Sequence, residues 1–378
     1  MPNGKGLAQS LLISSREAFR GAVPLNKLTA SGFLQYLMAN NKPRVISEII
    51  DDGSGYIRDV KIRYRQRGTT GKSVTTDDCS TQSRPVFKTY NVPSTSFRAF
   101  GMAFEDSLIA QYEKDALALM QAGENGKFTG IMQDIWDAII ENANGFFGDI
   151  NNDCLSAQSA NFGKHVASGS NAARTVNFPL NSTNNDLTSG MTGIMADAIA
   201  NEVKIDNTTI VGSGLITNYF LQQRSKTADQ AGVNTTQLVL PKFYNDQYAH
   251  AAWGANKFGL FEKDAVQFIN ICRFRGSKAG ERGRSFFGTL RLPVTDSLGQ
   301  GSLSDFEFDF QLMYRDCPEE VQIGAYVEGV NEPVRLDRGW NIVLMSSFQT
   351  VPIPNDSYAP EDPLYLVNGS FLYNVTNV

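Results

Sequence analysis

The most regular hydrophobic pattern in the chain is an alternation between residues 56 and 67. Apolar residues with a period of two fall on one face of a predicted strand. The opposite face carries four basic residues, Lys61, Arg63, Arg65 and Arg67. A second extended run, at 85–92, follows a turn at 68–71 and can return antiparallel to the first. The pattern therefore predicts an extended hairpin with one strongly basic face.

Helical periodicity appears in four later segments, where apolar residues recur at steps of three and four: 105–122, 128–143, 188–203 and 215–223. Trp136 and Ile139 complete the apolar stripe of the second predicted helix, so we expect both side chains to be buried. Residues 144–187 lose this periodicity and are rich in Asn, Ser and Gly, which predicts a long surface loop region.

Strand patterns dominate the second half of the chain. A short strand is predicted at 208–211, and longer ones are predicted at 266–274, 285–292, 306–314, 321–327, 340–348 and 365–373. Because the helices come first and most strands come later, the predicted fold class is α+β.

The N-terminal segment, residues 1–45, is punctuated by Gly and Pro and shows no long periodicity. Such a segment becomes ordered only by docking, either on its own body or on a neighbouring chain. We therefore expect an arm whose removal leaves the subunit able to fold.

Composition limits the function classes. A chain of 378 residues has room for two or three domains. Its 34 Lys and Arg against 39 Asp and Glu argue against a protein whose whole surface binds nucleic acid, so any basic feature is local. The four cysteines form no CxxC pair, which argues against a zinc site and a disulfide scaffold. No apolar run approaches the roughly 20 residues of a membrane span, so we expect no membrane partner.

Motifs for catalysis or ligand binding fail on inspection. The sequence GTTGKS at 68–73 has Gln66 where a phosphate-binding loop needs its first Gly. Residues 149–153 begin like a calcium loop but lack its later Gly and Glu. His165 and His250 are isolated in sequence. The sequence therefore indicates no catalytic site, no metal site and no cofactor, and we expect a protein that is not an enzyme.

Two rows of like charge stand out. The segment DFEFDF alternates acids with phenylalanines, as the predicted hairpin alternates bases with apolar residues. Such rows are either solvated strand faces or faces that meet between subunits and set their register. The candidates for inter-subunit contact are Lys61, Arg63, Arg65, Arg67, Asp305, Glu307 and Asp309.

A second basic stretch, 273–291, combines six basic residues with four glycines. It indicates either an exposed loop tip between strands or a flexible segment that meets phosphate.

The order of these segments resembles a tailed-bacteriophage major capsid protein, of the Hong Kong phage type of shell fold. Three segments carry the resemblance: the hairpin YIRDVKIRYRQRGTTGKS with its return PVFKTYNV, the helix FEDSLIAQYEKDALALM, and LTSGMTGIMADAIANEVKIDNTTIVGSGLITNYFLQQ. The resemblance implies a phage capsid fold with five parts. These are an N-terminal arm (1–45), an extended β-hairpin loop (46–95), a peripheral domain with a spine helix (96–187), an axial domain (188–349) and a C-terminal return to the peripheral domain (350–378).

The same resemblance implies a structural protein that self-assembles into an icosahedral shell around a double-stranded DNA genome. It implies a homo-oligomer of hexameric and pentameric capsomers, with portal and scaffold or decoration proteins as partners and with packaged DNA contacted non-specifically. The implied location is the virion capsid, assembled in the host cytoplasm. Two alternatives stay open: a nucleic-acid-binding protein that uses 58–72 and 273–291, and a cargo-holding nanocompartment shell of the same fold.

Overall fold

A computed structural model describes most of the second half of the chain and selected parts of the first. The described residues are 28, 30–39, 46–51, 57–65, 87–93, 96–105, 130–177, 189–203, 205–218, 241–272, 274, 280–282, 285–292, 306–316, 338–352 and 364–376. They belong to two compact units. Unit 1 takes its described residues from 97–146 and 270–347, and unit 2 takes its own from 28–96, 147–269 and 348–376.

The structure contains both helices and strands, which confirms the mixed class. Its helices are α1 Gly32–Ala39, α2 Gly130–Ser159, α3 Ser189–Ala200 and α4 Ala249–Trp253, with a 3-10 turn at Ile205–Asn207. Its strands are β1 Ile46–Asp51, β2 Ile57–Arg65, β3 Phe87–Pro93, β4 Ser96–Glu105, β5 Arg174–Asn177, β6 Thr208–Gly212, β7 Lys242–Asn245, β8 Lys257–Glu262, β9 Val266–Ile271, β10 Gly280–Arg282, β11 Ser285–Leu292, β12 Phe306–Asp316, β13 Arg338–Pro352 and β14 Ser370–Thr376.

The predicted hairpin is present as the central and last strands of a three-stranded antiparallel sheet. β2 pairs with β3 in a register that sets Val60 beside Val92 and Ile62 beside Tyr90. This confirms the antiparallel return inferred from the alternation. β1 pairs with the other edge of β2 and is a strand that the pattern did not predict. Arg67 and the predicted turn lie outside the described residues.

Unit 2 is built around a five-stranded mixed sheet in the order β5-β14-β8-β6-β7. β14 runs parallel to β5 and antiparallel to β8, while β6 runs parallel to β7. Alternate residues of these strands and one face of α3 share an apolar core. Its members include Ile194, Ala198, Ile210, Phe258, Leu260, Phe371 and Tyr373.

Unit 1 contains a sheet whose main path is β10-β11-β12-β13-β4. β11 and β12 are antiparallel, and Leu290 lies beside Phe308 in their register. The three phenylalanines of the DFEFDF segment are buried, as the alternation predicts for one face of a strand. They are Phe306, Phe308 and Phe310.

Helix α2 confirms the predicted helix at 128–143 but is much longer. Trp136 and Ile139 are buried, as expected. The predicted loop at 144–187 is wrong in its first part, because α2 continues to Ser159, and β5 lies in its second part. The apolar residues continue at helical spacing through Phe147 and Leu155, and their burial outweighs the low helix propensity of Asn and Gly.

Helix α1 shows that part of the N-terminal segment is an interior element of the subunit. It belongs to unit 2, and its residues from Gly32 to Met38 are buried on every side. A helix that is apolar all round is an interior element. Of the two docking surfaces that the sequence left open, residues 30–39 therefore use the chain's own body. We now expect that removing this region impairs folding. Residues 1–27 and 40–45 lie outside the described part.

The remaining element predictions vary in accuracy. The predicted strand at 285–292 is confirmed as β11, the one at 208–211 as β6, and the helix at 188–203 as α3. Those at 306–314 and 340–348 are longer as β12 and β13, the one at 266–274 ends earlier as β9, and the one at 365–373 begins later as β14.

Other predictions fall largely outside the described residues. The predicted strand at 321–327 lies wholly outside them. Of the predicted helix at 105–122 only Glu105 is described, and it is the last residue of β4. Of the predicted helix at 215–223 only residues 215–218 are described. Among the described helices, none is long and apolar enough to cross a membrane. The division into peripheral and axial domains stays a prediction.

Candidate functional site

The acidic row on β12 is buried inside unit 1. Glu307 and Asp309 are both buried, although acids rarely are unless they are paired. The Nε atom of Arg291 lies 2.8 Å from Oε1 of Glu307, in a pair that the β11–β12 register sets side by side. The hydroxyl of Thr289 donates to Oδ1 of Asp309 at 3.0 Å.

Asn270 and Phe274 both bond to the stretch of β12 that carries these two acids. The side-chain amide of Asn270 donates to the carbonyl oxygen of Glu307 at 2.7 Å. The backbone N–H of Phe274 donates to Oδ1 of Asp309 at 3.3 Å. Glu307 and Asp309 thus find partners within their own subunit, and their role in contacts between subunits stays a prediction. Asp305 lies outside the described residues.

The basic row occupies alternate positions of β2. Lys61, Arg63 and Arg65 pair in register with Asn91, Thr89 and Phe87 of β3, none of which carries a charge. On the other edge, Lys61 pairs with Glu48 of β1. β3 therefore supplies no carboxylate to the row, and its role in contacts between subunits stays a prediction.

A buried polar cluster in unit 2 joins three parts of the chain that the sequence did not connect. The Nδ1 atom of His165 lies 2.7 Å from Oδ2 of Asp197 on α3, and its Nε2 atom lies 3.0 Å from the carbonyl oxygen of Leu372. The hydroxyl of Tyr373 donates to the same Oδ2 at 2.6 Å. The guanidinium of Arg174 on β5 pairs with the other oxygen, Oδ1. We call these four side chains, of His165, Arg174, Asp197 and Tyr373, the His165 cluster.

Burial sets the protonation of the His165 cluster. It lowers the pKa of His165, and the charge of Arg174 acts in the same direction, while the hydrogen bond to the Leu372 carbonyl acts against them. Burial also raises the pKa of Tyr373, which keeps the hydroxyl protonated as a donor. Both ring nitrogens of His165 face oxygen atoms that only accept hydrogen bonds, an arrangement that favours the protonated ring and opposes the effect of burial.

The contact between His165 and Asp197 has the form of a catalytic base and its orienting acid. In a catalytic dyad the second ring nitrogen faces a nucleophile or substrate, whereas Nε2 of His165 faces a backbone carbonyl. Both side chains are fully buried, so no substrate reaches them. The contact between His165 and Asp197 therefore joins the segment after α2 to α3, which is a structural role. Sequence reasoning missed it, although Asp197 is the one charged residue in the apolar sequence of α3.

A second buried carboxylate, Asp246, ties α1 to the body of unit 2. Its Oδ2 accepts hydrogen bonds from the backbone N–H of Phe33 at 2.8 Å and from the side-chain amide of Asn151 at 2.9 Å. Its Oδ1 accepts from the backbone N–H groups of Tyr248 at 2.8 Å and Ala249 at 3.1 Å. Burial raises the pKa of Asp246, and these hydrogen bonds act in the opposite direction.

Aromatic rings and a close backbone approach complete the docking of α1. The ring of Phe33 lies 5.7 Å from that of Trp253, in an edge-to-face arrangement, and 5.3 Å from that of Phe261. The backbone of Gly32 passes so close to β7 that a Cβ atom there would overlap the carbonyl group of Asn245. This position therefore requires glycine.

Metal ligands are not gathered anywhere in the described residues, where no group of three or more His, Cys, Asp or Glu side chains could hold an ion. His250, the other histidine, lies exposed on α4.

The chain is similar to phage capsid proteins of solved structure, although no protein-family model and no curated protein sequence matches it. A capsid protein of cyanophage A-1(L) shares 13% identity, with coverage of 92% of both chains and a TM-score of 0.44. The capsid protein of Myoviridae phage XM1 shares 9% identity over 91% of this chain and 92% of that one, with a TM-score of 0.39. A chain of the mature capsid of bacteriophage PhiM1 shares 6% identity over 89% of this chain and 91% of that one, with a TM-score of 0.40.

Proposed function

We propose that the chain is a major capsid protein of a tailed phage, a structural subunit that self-assembles into an icosahedral shell around double-stranded DNA. The observation that carries the proposal is the three-stranded sheet β1-β2-β3, with a row of basic residues at alternate positions of its central strand. A sheet of this kind suits a subunit that reaches over its neighbours.

The register of this sheet gives its two faces different compositions. Val60 and Ile62 pair with Val92 and Tyr90, so apolar positions share one face. Positions 61, 63 and 65 of β2 are basic, and alternate positions repeat about every 7 Å along the strand. A small sheet with an apolar face needs a surface to lie on. In a shell, one neighbouring subunit supplies that surface, and carboxylates of a further subunit offset the basic row on the opposite face.

The rest of the described structure fits a structural role. Each unit has its own buried core, and the buried acids of both units are paired with donors of the same unit. The histidine–aspartate contact that resembles a catalytic dyad faces a backbone carbonyl. A closed shell needs such rigid subunits, because the same interface repeats many times and small errors in shape accumulate.

The partners follow from this function. The subunits form hexameric and pentameric capsomers, and portal and scaffold or decoration proteins join them. With a net charge of −5, the chain contacts packaged DNA only through local basic stretches and without base recognition. The shell is assembled in the host cytoplasm and becomes the capsid of the virion.

Negative-stain electron microscopy of the purified full-length protein tests the proposal. We expect closed shells or ring-shaped capsomers, at high protein concentration or after a scaffold protein is added. A protein that stays monomeric in light scattering at low and high salt, with and without the other phage structural proteins, contradicts it.

The contents of the particles separate the alternatives. Nuclease-resistant double-stranded DNA in particles from infected cells supports a genome-enclosing capsid, whereas packaged protein supports a nanocompartment. A nucleic-acid-binding protein that uses 58–72 and 273–291 would instead form no shell and bind DNA with an affinity that falls steeply as salt rises.

A further inference from the structure

An asparagine–glycine pair lies at the entry to the last strand of unit 2. Asn368 and Gly369 come directly before β14, and the sequence has three other such pairs, at 3–4, 125–126 and 144–145. In a pair of this kind the backbone nitrogen of the glycine can attack the side-chain amide of the asparagine, because glycine has no side chain to hinder the approach. The pair is therefore a place where a chain can modify itself.

The side-chain amide of Asn368 is held through both of its polar atoms. Its Nδ2 donates to the carbonyl oxygen of Asn161 at 2.8 Å. Its Oδ1 accepts from the backbone N–H of Ser370 at 3.1 Å and from the hydroxyl of the same residue at 2.7 Å. The residue is 3% exposed. Attack on the amide carbon removes Nδ2 from this buried network, so the folded state opposes the reaction.

Close packing confines the same amide. The backbone of Gly163 passes so near that a Cβ atom there would overlap Oδ1 of Asn368. The N–H of Gly163 donates to the carbonyl oxygen of Ser370, and the N–H of Glu262 donates to that of Gly369 at 2.7 Å. The turn is thus tied both to the segment after α2 and to the end of β8. A shift of the amide toward the backbone nitrogen of Gly369 requires these contacts to open.

The fold also fixes the identity of the glycine. Gly369 has a φ of +76°, which residues with a side chain rarely adopt, and a Cβ atom there would lie 2.9 Å from Oε2 of Glu262. The turn into β14 therefore requires glycine for a structural reason. The same glycine makes the preceding asparagine reactive whenever the turn is open.

We propose that Asn368 is a deamidation site that reacts only when the start of β14 detaches, so that its modification irreversibly marks subunits that stay unfolded. The Gly369 nitrogen bonds to Cγ of Asn368, the bond from Cγ to Nδ2 breaks, and Nδ2 leaves as ammonia with the proton of the glycine N–H. Water then opens the succinimide ring and leaves aspartate or isoaspartate. The shell function plays no part in this argument.

Neither product fits the folded site. An aspartate at this position sets a carboxylate oxygen against the carbonyl of Asn161, where the amide now donates, and it adds a buried charge. An isoaspartate inserts an extra backbone carbon just before β14, whose register with β8 begins with Ser370 beside Phe261. Because β14 supplies Phe371 and Tyr373 to the core of unit 2, a modified chain does not close that core.

Peptide mapping of the full-length chain by mass spectrometry tests the proposal. One sample is kept folded and a second is kept in concentrated urea, at the same temperature and mildly alkaline pH. We expect aspartate and isoaspartate at position 368 to form at least about tenfold faster in urea, because reaction in the folded chain is limited by the population of the open form.

A pair of serine variants tests the protection itself. Ser370→Ala removes the hydroxyl that donates to Oδ1 of Asn368, so deamidation in the folded chain should become faster while the rate in urea does not change. Ser168→Ala, at an exposed position of the same unit, should leave both rates as they are in the wild type.

The variant Asn368→Asp carries one product without any ageing of the sample. We expect it to unfold at a lower urea concentration than the wild type, whereas Asn171→Asp, at an exposed position before β5, should not. The proposal is overturned if Asn368 reacts as fast in the folded chain as in urea, if it does not react in urea, or if Asn368→Asp is as stable as the wild type. Failure of Asn368→Asp to fold supports it.

Discussion

The carboxylate of Asp246 accepts a hydrogen bond from the backbone N–H of Phe33, 213 residues away in the sequence. Together with the second bond from Asn151 to the same oxygen, it holds the first turn of α1 against α2 and the end of β7. The N-terminal helix is thus positioned by a residue near the middle of the chain, through groups that show no hydrophobic pattern.

Replacement of Asp246 by Asn should destabilise unit 2 by about 2–5 kcal/mol, although the shape of the side chain is kept. Asn has one acceptor oxygen, whereas Asp246 uses two and accepts four N–H groups. The amide nitrogen of the variant would leave two buried donors unpaired. Urea unfolding followed by circular dichroism measures the effect.

The control for this variant is Asp206→Asn, because Asp206 lies in an exposed 3-10 turn of the same unit. We expect a change within about 0.5 kcal/mol for the control. Equal stability of Asp246→Asn and the wild type would contradict the role assigned to this carboxylate.

Deletion of residues 1–40 should prevent unit 2 from folding, because it removes α1. The truncated protein loses the Phe33 and Tyr36 rings, which are fully buried, and exposes Trp253 and Phe261. Large buried side chains contribute about 3–5 kcal/mol each. Yield of soluble protein and binding of a hydrophobic dye measure the outcome.

Deletion of residues 1–27 is the matched control, since it leaves α1 in place. We expect this shorter deletion to give a soluble, folded subunit. Normal folding of the longer deletion would show that α1 is dispensable.

Trp136→Ala should lower the free energy of unfolding by about 3–5 kcal/mol, because the indole is fully buried in α2. Glu141→Ala, on the exposed side of the same helix, should change it by no more than about 0.5 kcal/mol. Thermal unfolding of the two variants compares a buried and an exposed position of one helix. Similar melting temperatures would contradict the packing described here.

Reversal of Arg63 and Arg65 to Glu should leave the subunit folded and impair assembly. Lys61, Arg63 and Arg65 lie at alternate positions of β2, and in the proposed shell they meet carboxylates of an adjacent subunit, which reversed charges would repel. Electron microscopy and light scattering at low and high salt measure assembly, which should be lost or become strongly salt-dependent.

Lys263→Glu is the control for the charge reversal, because Lys263 is an exposed cation of unit 2 that lies outside the sheet β1-β2-β3. We expect it to assemble more normally than the double variant. Assembly of the double variant at the wild-type level in low salt would show that the basic row is a solvated face.

Substitution of the acids on β12 should act on the subunit itself and not on assembly alone. Asp309→Ala removes the acceptor of the Thr289 hydroxyl and of the Phe274 N–H, two part-buried donors, and should destabilise unit 1 by about 1–3 kcal/mol. Arg291→Ala should have a much smaller effect, because that side chain is 62% exposed. The free energy of unfolding of dissociated subunits compares the two variants. An unchanged value for Asp309→Ala would show that the hydrogen bonds of Asp309 do not stabilise the subunit.

Local patterns predicted the elements whose alternation or helical spacing is unbroken. The β2–β3 pairing followed from the alternation around Val60 and Ile62, and the burial of Trp136 followed from one apolar stripe. The second half of α2 was missed because Asn and Gly have low helix propensity, and only tertiary burial of residues such as Phe147 offsets this.

The polar clusters could not be predicted for a different reason. Asp246 and Phe33, or His165 and Leu372, meet only after distant segments have packed, and no spacing in the sequence encodes such a meeting. The same holds for Glu307 and Asp309: alternation correctly put them opposite the phenylalanines, but whether residues 270–274 cover that face is a tertiary question.

The position of β14 has a consequence for the timing of synthesis. This strand lies between β5 and β8 in the sheet. Until residues 370–376 have left the ribosome, β5 therefore has no neighbouring strand, and β8 has one of its two neighbouring strands, β6. Phe371 and Tyr373 also belong to the core of unit 2, which therefore stays open throughout translation of the preceding 369 residues. A nascent chain that has not reached residue 370 therefore lacks a finished core in unit 2.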